Sequence, residues 1–75
     1  MSSVDVIVKV VKEIANAITV ETIIINLDDF EVRIPEDFEA DDFTKLMGVL
    51  SKYPVEWRFE VDRGLVIKVK EDSES

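Results

Sequence analysis

The chain has 75 residues, with 17 Asp plus Glu against nine Lys plus Arg, and it contains neither cysteine nor histidine. That length folds one small domain. The missing thiol and imidazole exclude disulfides, the usual zinc and transition-metal ligands, and every Ser–His or Cys–His nucleophile pair. The formal charge of −8 argues against nucleic-acid backbones and acidic membranes as partners, since both reward clustered Lys and Arg.

The N-terminus, Met1-Ser2-Ser3-Val4-Asp5, has no basic leader region, and Asp5, Lys9 and Lys12 interrupt the apolar run behind it. Neither a signal peptide nor a membrane span is expected. Residues 3–17 place Val4, Ile7, Val8, Val11, Ile14, Ala15 and Ile18 at helical spacing, with Asp5, Lys9, Lys12, Glu13 and Asn16 mostly opposite. Ser2 or Ser3 can cap this helix, and Asp5 suits its positively polarised first turn. Val4, Val6, Val8 and Val10 also alternate as a strand would, but a strand would put Asp5 and Lys9 on the face of Ile7 and Val11. Val6, Val10 and Ala17 make a second apolar stripe, so the helix is either buried broadly or has a partner.

A hairpin follows around Asp28-Asp29. Leu27 opposes Phe30, Ile25 opposes Val32 and Ile23 opposes Ile34, all on one face, while Thr22, Asn26, Glu31, Arg33 and the apolar exception Ile24 take the other. Pro35 ends the strand. A second helix is expected from about Ala40 to Lys52, burying Ala40, Phe43, Leu46, Met47, Leu50 and Tyr53 and stopping before Pro54. In the second hairpin Val55, Trp57, Phe59 and Val61 share the buried face with Leu65, Ile67 and Val69. Asp62-Arg63-Gly64 forms its loop, with Gly64 left-handed. Glu56, Arg58, Glu60, Val66, Lys68 and Lys70 lie outside, where Glu56 can pair with Lys70. Residues 71–75 read as a disordered acidic tail.

The expected fold class is therefore α+β: a single two-layer domain, residues 1–70, in the order α-β-β-α-β-β, with two helices on one face of a four-stranded sheet. Strand order stays open, because two all-antiparallel orders and a mixed sheet with a right-handed crossover all satisfy the pattern.

Residues 28–42 hold eight acids (Asp28, Asp29, Glu31, Glu36, Asp37, Glu39, Asp41, Asp42) and only Arg33, so a nearly neutral domain carries one acidic segment. Local rules explain most of it. Asp28 and Asp29 are turn formers. With Glu39 as cap, Phe38 and Phe43 occupy the positions of a hydrophobic staple, and Asp41 and Asp42 lie in the first helical turn. The two ends of the segment also fall at opposite ends of a strand. Glu36 and Asp37 are left without a local explanation. An EF-hand count begun at Asp37 fails at its glycine position, which is Asp42, and at its final glutamate position, which is Gly48.

No metal site, cofactor or phosphate-cradling loop is expected. Paired carboxylates without a cleft do not make a hydrolase, so no enzymatic activity is expected either. Trp57 and Phe59 could stack on bases, but their phase assigns them to the core. The sequence thus points to a small acidic, non-enzymatic, cytoplasmic module that binds a basic protein through Glu36, Asp37, Glu39, Asp41 and Asp42. Such a module could act as an inhibitor or nucleic-acid mimic, and could be a monomer or a homodimer. The alternatives are a self-assembling structural domain, or a chain with no evolved ligand.

Overall fold

A computed structural model describes residues 2–70; the tail expected at 71–75 lies outside the described residues. Helix α1 (Ser3–Ala17) starts where the capping signal places it, with the Ser2 hydroxyl accepting the Asp5 N–H at 3.2 Å. Its buried residues are Val6, Ile7, Val10 and Ile14, so the stripe through Val6 and Val10 faces the sheet. Val4 and Val8, expected on the inner stripe, are 42% and 44% exposed, and Ala15 is exposed too. Spacing could not choose between two apolar stripes; the sheet's position chose.

Strands β1 (Ile24–Asn26) and β2 (Glu31–Ile34) pair antiparallel with Ile25 opposite Val32, the register read from the sequence. The turn spans four residues, Leu27 to Phe30, rather than two. Without glycine, a tight two-residue turn would force two side-chain-bearing residues to positive φ. Instead the Asn26 Oδ1 accepts the N–H groups of Asp28 (2.9 Å) and Asp29 (3.2 Å), and only Phe30 turns left-handed, at φ 53°.

Helix α2 (Ala40–Leu50) ends two residues before the expected Lys52. Lys52 and Tyr53 then donate to the carbonyls of Val49 and Leu50, tightening the chain into Pro54. Leu46, Val49 and Leu50 are buried, whereas Ala40, expected inside, is exposed and Phe43, Met47 and Tyr53 are half-buried.

In the second hairpin β3 (Val55–Glu60) pairs with β4 (Gly64–Val69), and Trp57 stands opposite Ile67 and Phe59 opposite Leu65. The loop is Val61-Asp62-Arg63, one residue earlier than expected, and Gly64 closes it at φ 84°. This places Glu56 opposite Lys68, not Lys70. Gly64 is required twice over, since a Cβ there would also sit 2.6 Å from the Ile34 carbonyl oxygen and 2.7 Å from the Pro35 Cα.

The sheet is antiparallel throughout, in the order β1-β2-β4-β3. The last strand is therefore interior, and β1 and β3 are the edges. Helix α1 touches β2, β4 and α2. The core runs from Val6, Ile7, Val10 and Ile14 through Val32 and Ile34 to Leu65 and Ile67. On the opposite face Val66, expected to be exposed, is fully buried. It stands between Arg33 on β2 and Arg58 on β3, two residues long enough to cover a small apolar neighbour with their aliphatic stems. Around it Arg63 binds Glu31 at 2.7 Å and Glu60 at 3.4 Å, and Arg58 binds Glu60 at 2.5 Å. These contacts hold Glu60 below its usual pKa, with the Arg58 hydrogen bond as the largest cause. No helix among the described residues is long and apolar enough to cross a membrane.

Candidate functional site

Strand order decides which part of the acidic segment is available. Pro35 stops β2, and the Glu36 N–H turns back to the Ile34 carbonyl at 2.9 Å. The Glu36 side chain reaches the α1–β1 connection: its Oε2 accepts the backbone N–H groups of Glu21 at 2.6 Å and Thr22 at 2.9 Å. The carboxylate thus holds the α1–β1 connection, satisfying two donors that belong to no helix or strand. Glu36 therefore has a role in the fold, and it also lines the depression beside Asp37.

Asp37 stays exposed. With Pro35, Glu36, Val61, Asp62 and Gly64 it lines an open depression of about 220 Å³ between the end of β2 and the β3–β4 turn. Asp62 is an acid that sequence reasoning missed, because only the β2–β4 pairing brings its turn beside Asp37. Among the described residues no group of three acids is placed to hold a metal ion. Glu39 is the N-cap of α2, without a side-chain capping bond, and Asp41 and Asp42 follow in the first turn. Asp28 and Asp29 sit in the hairpin turn at the other end of β2.

The largest departure from expectation concerns the aromatic residues. Trp57 and Phe59 are 41% and 51% exposed, and Val61 beyond them is fully exposed. Their phase was read correctly, since they oppose the buried Ile67 and Leu65. Their cover was not: β3 is an edge strand, and α1 packs over the central strands β2 and β4. Phe43, carried beside Asp42 on the first turn of α2, lies 5.6 Å from Trp57 and 5.7 Å from Phe59 between ring centroids. Phe38 meets Phe59 at 6.4 Å, and Trp57 meets Phe59 at 5.9 Å. The two staple residues thus join through Phe59. Four of the chain's six aromatic residues form this cluster, and that concentration was its only sequence signal.

The resulting surface is an aromatic strip along an unpaired strand edge. The same α2 turn that supplies Phe43 supplies Glu39, Asp41 and Asp42, and the neighbouring turns supply Asp37 and Asp62. Such a surface offers apolar contact area with negative charge beside it. A separate cluster is structural: Glu13 of α1 accepts from the Lys52 ammonium at 2.8 Å and from the Tyr53 hydroxyl. The Lys52 hydrogen bond, then that of Tyr53, lowers the Glu13 pKa, and the bond to Glu13 raises that of Tyr53. Compared with known proteins, the chain matches no family model, no curated protein and no solved structure.

Proposed function

We propose that the chain is a small acidic protein-binding module whose contact surface is the β3 edge and the N-terminal turn of α2. The observation that carries this reading is the exposure of Trp57 and Phe59 in a sheet whose facing strand β4 is buried. Exposed aromatic side chains clustered within ring-contact distance are the residue types that anchor protein interfaces. The carboxylates of Asp37, Glu39, Asp41, Asp42 and Asp62 steer a positively charged partner toward them. Arg and Lys of that partner gain further from the ring faces of Trp57 and Phe59.

In its narrower form the module occupies the basic site of a nucleic-acid-binding protein, its carboxylates standing for phosphates and its rings for bases. The role is non-enzymatic, resting on contact rather than on an activated side chain. A cytoplasmic location accords with a chain that uses no cysteine.

The test is calorimetric titration with an arginine-rich peptide at low and high salt. Neutralising Asp37, Glu39, Asp41 and Asp42 together should abolish binding, while Glu36→Gln should leave it intact. Binding that persists after the fourfold change, or that ignores salt, contradicts the reading.

A further inference from the structure

A second apolar surface lies at the opposite edge of the sheet. Between α1 and β1 runs a groove of about 270 Å³ whose lining exposes no polar surface. Val4, Val8 and Val11 form one wall and Ile25 and Leu27 the other, and Lys12 lies on its flank. Val4, Val8, Val11 and Ala15 follow one another at spacings of four, three and four residues, the pattern of a helix–helix seam. Val4, Val8 and Ala15 are exposed, and Val11 is half-buried at the margin of the core. A seam at this spacing suits another helix, and the charges beside it indicate which one.

We propose that the groove is filled by α1 of a second copy of this chain, packed antiparallel about a two-fold axis near Val8 and Val11. Asp5 and Lys12 hold equivalent positions, each one residue after a seam valine and seven residues apart. In an antiparallel pair with Val8 layered on Val11 of the second copy, residues at this position face each other across the seam. Asp5 then meets Lys12 of the second copy, and the two-fold axis makes the pair twice. A parallel pair would not join them. α1 is also net neutral, with Asp5 and Glu13 against Lys9 and Lys12, so two acidic chains can approach along it without opposing like charges. Because β1 and β3 are opposite edges, this pairing leaves the Trp57 surface open.

The experiment is sedimentation equilibrium on the full chain, with circular dichroism to show that each variant is folded. The wild type should self-associate at micromolar concentration, and Val8→Glu, on an exposed position, should disperse it. Asp5→Lys alone and Lys12→Asp alone should each weaken the dimer by about tenfold, since each sets like charges opposite one another. Mixing the two variants in equal amounts should restore association as a heterodimer. A wild type that stays monomeric at millimolar concentration overturns the proposal. So does self-association that both charge variants leave unchanged, or a mixture that fails to recover it. None of these outcomes bears on peptide binding at the β3 edge, so the two proposals fail separately.

Discussion

The Glu36 carboxylate accepts the backbone N–H of Thr22 at 2.9 Å, and that of Glu21 at 2.6 Å through the same oxygen. One acid of the acidic segment is thereby tied to a loop 14 residues earlier in the chain. Glu36→Ala removes the shared acceptor and leaves two connection donors to water. We expect a loss of about 1–2 kcal/mol, or roughly 4–16 °C in melting temperature for a domain of this size. Asp41→Asn, at an exposed position of the first helical turn, should lower stability by less than about 1 kcal/mol. Thermal melts of the two variants side by side check the difference.

Gly64 carries the second prediction. Gly64→Ala must place a Cβ against the Ile34 carbonyl oxygen while holding a left-handed φ. A cost of about 3 kcal/mol is expected, seen as a lower urea midpoint with little change in slope. The same change at Gly48, where a Cβ would meet nothing within 4 Å, should stabilise α2 by about 0.5–1 kcal/mol.

Buried and exposed apolar residues on the same side of the sheet should behave differently. Leu46→Ala and Leu65→Ala remove fully buried side chains and should each cost about 2–5 kcal/mol. Phe59→Ala removes a side chain that is already half in water, and should cost about half as much as a buried phenylalanine, roughly 1.5–2.5 kcal/mol. Chemical denaturation of the three variants tests this order. Phe59→Ala alone should also weaken peptide binding, which separates its two roles.

The Glu13 contacts give a pH prediction with a definite sign. Glu13 is lowered below its usual 4.5 by Lys52 and Tyr53. Its contribution to stability is therefore present above that value and is lost as pH falls through the lower folded value. Tyr53 is raised above 10.0 by its bond to Glu13, so its contribution is present below 10.0 and is lost as pH rises through the folded value. Between these limits the clamp joining α1 to the exit of α2 is intact. Glu13→Gln should lower the melting temperature at neutral pH, and the gap from wild type should close on acidification.

What the sequence made legible follows from the range of each interaction. The Ser2 cap, the Ile25–Val32 register, the stop at Pro35 and the left-handed Gly64 depend on neighbours a few residues away, and all four appear in the structure. The exposure of Trp57 and Phe59 depends on which strand lies at the sheet's edge, and pattern alone left three strand orders open. The same ambiguity hid Asp62 from Asp37. The inner face of α1 was undetermined for another reason, since valines occupy both candidate stripes. Glu36 looked unassigned because its donors sit in a loop with no periodic signal.

At the β3 edge, the aromatic rings and neighbouring carboxylates are proposed to receive a positively charged protein segment. Trp57 is the only tryptophan in the chain, so its emission reports on that edge directly. Titrating the protein with an arginine-rich peptide at low ionic strength should move this emission, and neutralising Asp37, Asp41 and Asp42 together should abolish the change. Emission that stays constant through the titration, or a change that survives the triple neutralisation, would contradict the account.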